Sequence, residues 1–414
     1  MDDPQRVVER VARESYGRLV AYLSARSRDV AGAEDALGDA FMAALRTWPR
    51  GGVPANPEAW LLTTARNRLA DAARRQRVRA DSAHTVKLLV RQAAELPAWS
   101  AFPDERLRLM FVCAHPAIDP AVHTPLMLQV VLGLDAATIA RAFLTLPATM
   151  GQRLSRAKTK IRDAGIAFEI PDYHQLPARL DAVLAAIYAS YTSGWDDLAG
   201  ADPRRRGLTD ESLWLARALV GLLPAEPEPC GLLALMLFCE ARRPARRAAN
   251  GDYVPISEQD TGRWSVPTIG EAERLLAGAA AQQRPGRFQI EAALQSAHTE
   301  GALTGGADWP AIALLYEGLM FVAPTTGAAV GRAAALAEAK GPDVGLTELE
   351  RIDADTAERY QPYWAVRAHL LRRMDRVPEA LDAFNHAIEL TEDGPIRHFL
   401  ARCRAEATAG AVAS

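Results

Sequence analysis

An all-α protein is what this sequence predicts, and three observations carry the prediction. Apolar residues recur with helical period in almost every segment, strand-like alternation is scarce, and short Pro/Gly clusters cut the chain into helix-length pieces. At 414 residues the chain exceeds one ordinary core, so two or three domains are expected. Apolar residues make up 49% and charged residues 24%, the balance of a soluble globular protein. No apolar run reaches the length of a bilayer span, and the opening MDDPQRVVER has no hydrophobic signal region. A cytoplasmic location and no membrane partner are therefore expected. Cys113, Cys230, Cys239 and Cys403 are scattered without a CxxC pair, which fits reduced thiols rather than a disulfide framework.

Taken in order, residues 5–24 place Val8, Val11, Ala12, Leu19 and Tyr22 on one apolar stripe. AEDALGDAFMAALRTW, Ala33 to Trp48, is a second helix, stopped by PRGGVPANP. Asn56 and Pro57 form a cap and first turn for a third helix. In it Leu62, Ala65, Leu69 and Ala72 make the buried stripe. Thr63, Asn67, Asp71 and Arg74 fall on another line, flanked by Arg66, Arg68, Arg75, Arg77 and Arg79. Asn and Arg on a helix led by Trp60 suit contacts with phosphates and unstacked bases, although a core position serves Trp60 equally well. Residues 81–104 read as a linker. ERLRLMFVCAHPA and an apolar helix near Val122–Leu132 follow, and IPDYHQLP, from Ile170, marks a boundary.

The stretch LDAATIARAFLTLPATMGQRLSRAKTKI is the most informative. Ala137, Ile139, Ala140 and Phe143 form a short helix with Asp135 as N-cap. Leu144–Leu146 is a tight connection, and Pro147 opens a longer helix. Met150, Leu154, Ala157 and Ile161 share one face of that helix, and Thr149, Gln152, Arg153, Arg156 and Lys160 occupy the rest. Between Arg153 and Arg162 stand five basic residues and no acidic one. A short helix, a three-residue turn and a basic helix make a helix-turn-helix, whose second helix enters the major groove. A merely solvated basic face is the competing explanation. The preceding short helix and tight turn favour the first, and the charge partition agrees with a polyanion partner for the N-terminal part: residues 1–170 hold 24 Lys and Arg against 18 Asp and Glu, and the remainder 24 against 33.

These stretches together resemble sigma-70-type factors of the extracytoplasmic-function (ECF) class. AEDALGDAFMAALRTW, NPEAWLLTTARNRLADAARRQRVR and LDAATIARAFLTLPATMGQRLSRAKTKIR match that pattern in order, within residues 5–165. DERLRLMFVCAHPAI and the helical remainder to about residue 405 resemble the subgroup with a C-terminal tetratricopeptide-like (TPR-like) extension. The resemblance implies two small helical sigma domains joined by a linker and followed by a helical regulatory domain. The boundaries are 1–80 for region two, 81–104 for the linker, 105–170 for the region-four helix-turn-helix and 171–414 for the extension. It further implies that Asp35, Asp39 and Phe41 bind core RNA polymerase. Trp60, Asn67, Arg68, Asp71, Arg74 and Arg75 would recognise and melt the downstream promoter element, and Thr149, Gln152, Arg153, Arg156 and Lys160 would face the upstream one. Gly151 and Leu144 depart from the family pattern, the first where a polar residue is usual, the second where the turn commonly has glycine.

Beyond residue 180 the chain continues as Ala/Leu-rich helices, ending in YWAVRAHLLRRMDRVPEALDAFNHAIEL, a helical hairpin resembling one TPR unit. The polar segment Glu240–Trp264 interrupts them. Its Arg242, Arg243, Arg246, Asp260 and Trp264 are candidates for an intramolecular lock or for a surface that takes a regulatory protein or ligand; a solvated loop is the alternative. Cys113, His115 and His123 lie close in sequence but lack a complete metal-ligand set. With no phosphate-binding glycine loop, HExxH or GxSxG, neither an enzyme nor a cofactor is expected. The expected function is an alternative sigma factor that binds core RNA polymerase and promoter DNA, regulated in cis by its C-terminal domain. The rival is a stand-alone helix-turn-helix regulator with a TPR-like interaction domain.

Overall fold

The computed structural model describes residues 3–79, 104–143, 145–172, 174–196 and 207–413. The expected linker thus lies outside the described residues except at Asp104, as does Leu144 of the turn. The architecture is all-α: among the described residues the sole β pairing is an isolated bridge between Arg247 and Tyr253. The chain divides into two compact units, Met1–Leu215 and Ala216–Ser414.

The first unit begins with α1 (Pro4–Ser27), α2 (Val30–Gly51) and α3 (Pro57–Arg79), which pack on one another around Leu19, Leu23, Leu37, Leu61 and Leu62. Local chemistry starts each helix. Asp29 Oδ1 accepts from Gly32 N at 3.0 Å, and Asn56 Oδ1 accepts from Ala59 N at 3.0 Å, satisfying amides that have no intrahelical partner. Four more helices follow: α4 (Arg106–Cys113), α5 (Pro120–Val130), α6 (Ala136–Ala142) and α7 (Pro147–Asp163). Asp135 caps α6 through Thr138 N at 2.9 Å, and Pro147 stands in the first turn of α7. Leu109, Met110, Phe111, Leu126 and Met127 fill this core.

The two helix groups are packed together. Helix α1 touches α4 and α5, and α2 touches α7. At Gly17 the approach is so close that an added Cβ would stand 1.7 Å from the carbonyl oxygen of Val131. Helix α8 (Leu176–Asp196) packs on α4 and α5, and Glu211 and Trp214 of α9 (Leu208–Leu222) meet the Arg106 guanidinium of α4. The sequence places a domain boundary at 170/171, whereas the compact unit runs on to Leu215, because the apolar faces of α4 and α5 are completed by the chain that follows.

In the second unit α10 (Pro227–Arg242), α11 (Val266–Ala280) and α12 (Arg287–Thr304) pack together. A chain of helices continues from them: α13 (Trp309–Val322), α14 (Thr326–Lys340), α15 (Pro342–Leu349), α16 (Ala354–Glu358), α17 (Gln361–Arg373), α18 (Val377–Glu389) and α19 (Gly394–Ala413). Most of their packing is with sequence neighbours. Small residues permit it: a Cβ on Gly345 would meet the Ala333 carbonyl oxygen at 2.7 Å, so α15 lies directly on the α14 backbone. The expected hairpin of α17 and α18 is present, with Ala368, Leu371, Ala380, Ala383 and Phe384 between the helices. No described helix is long and apolar enough to cross a membrane.

Candidate nucleic-acid interface

Helix α2 buries Ala33, Ala36, Leu37, Ala40, Ala44 and Trp48, a stripe at helical spacing that fixes which residues face out. Asp35, Gly38, Asp39 and Met42 are exposed on the opposite line, and Phe41 is half-buried at its margin. Asp35 and Asp39 make no ion pair among the described residues. Met42 is 55% exposed and Leu45 37%, so the acidic line has an apolar companion that the sequence reading missed. The signal was available: both residues stand off the alanine stripe, where an apolar side chain has no core to enter.

Helix α3 keeps Leu61, Leu62 and Ala65 in the core and half-buries Leu69, but Ala72 is exposed. The buried stripe therefore ends one turn earlier than its periodicity suggests. Trp60 is half-buried, its ring edge-on to Trp48 at 5.5 Å between centroids, so its packing role is realised and its exposure is partial. Asn67, Arg68, Asp71 and Arg74 are exposed on one side, with Asp71 and Arg74 paired at 3.3 Å. The Arg75 side chain lies outside the described residues.

Helix α7 matches its expected faces closely. Met150, Leu154, Ala157 and Ile161 are buried, whereas Gln152, Arg153, Arg156 and Lys160 are exposed and Thr149 is half-buried. Arg153, Arg156 and Lys160 make no ion pair among the described residues, leaving three cations at spacings of three and four on one helix side. Arg162 is instead paired with Asp163 at 3.1 Å. Gly151 faces open space, with no atom near the position a Cβ would take.

Lys158 belongs to the same basic run but points the other way. Its Nζ lies 2.5 Å from Glu34 Oε2 on α2, both side chains being nearly buried, and the Tyr16 hydroxyl donates to Glu34 Oε1 at 3.3 Å. Burial first, and the Glu34 charge second, push the Tyr16 hydroxyl well above its ordinary pKa. Burial likewise raises the adjacent Cys113 thiol. One basic residue of the run thus joins the two helix groups, and no local pattern distinguishes it from its neighbours.

The remaining candidates resolve as follows. Cys113 is buried, His115 Nδ1 accepts from Ala117 N at 3.1 Å, and His123 Nε2 is bonded to the Ile118 carbonyl at 3.0 Å. In the second unit Arg242 bonds Gln295 and the Phe238 carbonyl, Arg243 pairs with Glu240 at 3.3 Å, and Asp260 caps Gly262 N at 3.0 Å. Arg246 accepts the Val254 amide on its carbonyl at 3.0 Å, so its backbone is part of a hairpin. Trp264 is 5% exposed and lies in the core, which removes it from any surface. Its indole is apolar enough to be drawn under a segment that the sequence presents as a polar interruption.

Comparison with known proteins adds the following. Residues 11–79 match the family model for Sigma-70 region 2, and residues 179–280 match a family of unknown function, DUF6596. An uncharacterized protein of Rhizobium meliloti (strain 1021) is 37% identical over 383 residues, covering 91% of this chain and 89% of the relative. No solved structure matches the chain.

Proposed function

We propose, from the premise that this chain belongs to the family of its Rhizobium meliloti relative and carries a sigma-70 region 2, that it is an ECF-type alternative sigma factor acting in the cytoplasm. The observation that carries this proposal is the position of that region: residues 11–79 span α1–α3, in which α2 exposes an acidic and apolar line with no ion pair among the described residues and α3, packed on α2, exposes its Asn/Arg side.

In this proposal Asp35, Asp39, Met42 and Leu45 dock on core RNA polymerase, with Phe41 supporting them. Apolar side chains flanked by unpaired carboxylates suit a partner with a basic, partly apolar helix surface, where charge steers and apolar burial holds. Trp60, Asn67, Arg68 and Arg74 engage the downstream promoter element, and Asp71 positions Arg74. Unstacking a base costs a few kcal/mol, and protein stacking offsets about 1–3 kcal/mol per base. Helices α6 and α7 act as the helix-turn-helix for the upstream element. Gln152 suits a base edge there, while Arg153, Arg156 and Lys160 take phosphates. The residues from 171 onward form the TPR-like regulatory part that acts in cis. No catalytic role is assigned to any residue, since polymerase performs the chemistry.

Gel filtration of the full chain with core RNA polymerase tests the assignment. Co-elution is expected, and Asp35→Lys with Asp39→Lys should abolish it while the circular dichroism spectrum stays helical. Undiminished co-elution of that variant would remove the polymerase face from α2.

A further inference from the structure

In a chain of helices that pack mainly on elements near them in sequence, one segment reaches much further. Between α10 and α11, residues 246–254 form a small hairpin. The Val254 amide donates to the Arg246 carbonyl at 3.0 Å, and the Ala248 amide to the Asp252 carbonyl at 3.0 Å. Gly251 turns the chain at φ +88°, a conformation glycine alone adopts without strain. The hairpin and the turn after it do not stay with α10 and α11. They reach the last helix, α19, whose contacts are nearly 150 residues away in sequence.

The contacts form a matched set. Asp252 faces His398 Nδ1 at 3.5 Å, and Glu258 faces Arg402 at 3.7 Å. Between them the Tyr253 ring stands edge-on to Phe399, with centroids 5.5 Å apart and planes at 82°. The Arg402 guanidinium lies 5.4 Å from the Phe399 ring centroid, so aromatic and cation make one surface. Arg247 adds a pair with Asp393 at 3.7 Å. The segment thus offers carboxylate, aromatic ring and a second carboxylate. The helix offers imidazole, aromatic ring and guanidinium.

The two outer ion pairs hold the segment only weakly, in contrast to Arg247 and Asp393, whose side chains are 20% and 31% exposed. His398, Arg402 and Glu258 side chains are 75%, 51% and 58% exposed, and exposed pairs of this length contribute little. Tethering does the rest, because a segment of the same chain competes at an effective concentration near millimolar. The helix face is basic, with Arg397, Arg402 and Arg404 on α19 against Glu406 alone, whereas the segment 251–260 that meets it carries Asp252, Glu258 and Asp260 and no basic residue.

We propose that His398, Phe399 and Arg402 form a docking surface for an acidic segment of a partner protein that carries a Tyr or Phe beside an Asp, and that Asp252, Tyr253 and Glu258 occupy this surface in cis until that partner displaces them. The proposal rests on reading the C-terminal helices as the regulatory part. It needs neither polymerase nor DNA, so its failure and that of the promoter assignment are separable.

A labelled peptide of this chain's own residues 251–260, GDYVPISEQD, serves as the probe. Its binding is measured by fluorescence anisotropy to the full chain and to the full chain with Tyr253→Ala and Glu258→Gln. The loosened variant is expected to bind the peptide at least tenfold more tightly than the unaltered chain, and adding Phe399→Ala or Arg402→Glu should lower that affinity at least tenfold. Equal affinity of the loosened and unaltered chains, or indifference to Phe399 and Arg402, overturns the proposal. A charge-exchanged chain with Glu258→Arg and Arg402→Glu keeps an internal pair and guards against misfolding. It should prefer the peptide with Arg at the Glu258 position over the natural one, and the reverse preference also overturns the proposal.

Discussion

Glu34 and Lys158 make the contact on which the arrangement of the first unit most depends. Each is nearly buried, at 13% and 14% side-chain exposure, and each is the other's counter-ion. Removing one charge leaves the other desolvated and unpaired, so Glu34→Gln should cost about 2–3 kcal/mol in urea unfolding. Replacing both with apolar residues of similar size should cost less than either single change, and a double-mutant cycle reads the difference. Tyr16 and Cys113 give this cluster a pH dependence. Both have folded-state pKa values raised by burial, so the unfolded chain loses these protons first as pH rises. Their contribution is complete below the unfolded values of 9.0 for the thiol and 10.0 for the phenol. Stability of the first unit is therefore expected to fall from about pH 9 upward. Cys113→Ala should flatten the first part of that fall in a series of urea melts, while Tyr16→Phe should flatten the part above pH 10.

Helices show where local chemistry decides structure and where it does not. The face of α7 was legible residue by residue, because Met150, Leu154, Ala157 and Ile161 recur at helical spacing and all four are buried. The caps at Asn56 and Asp135 were legible for the same local reason. What escaped the sequence is set by partners distant along the chain. Ala72 continues a periodic stripe, yet no neighbour reaches it. Trp264 lies in a polar segment, yet it is drawn into the core. Lys158 is one cation among five until α2 supplies Glu34. Gly17 is the sharpest case, being a glycine inside a helix with nothing local to explain it. Its Cβ-free surface lets α1 meet the Val131 carbonyl. Gly17→Val should push α1 from the end of α5 and lower the thermal midpoint by several degrees, corresponding to about 2–3 kcal/mol. An equally placed substitution at Gly38, which faces open space, should leave the midpoint within a degree or two.

Across the whole molecule, charge and fold divide the chain in different places. Net positive charge ends near residue 170, whereas the first compact unit runs to Leu215. The helices after α7 thus complete the packing of the basic part before the acidic helical array begins. Promoter binding by the polymerase complex should weaken steeply with salt. Alanine at Arg153, Arg156 or Lys160 should each reduce the log–log salt slope by about one. Promoter-directed transcription in vitro, with core RNA polymerase, the full chain and a template carrying the region upstream of its own gene, decides whether the chain acts as a sigma factor. A discrete transcript that requires the chain, and that disappears with Asp35→Lys and Asp39→Lys, is the predicted result. No transcript, together with no co-elution of the chain with core polymerase, would contradict the assignment as a sigma factor.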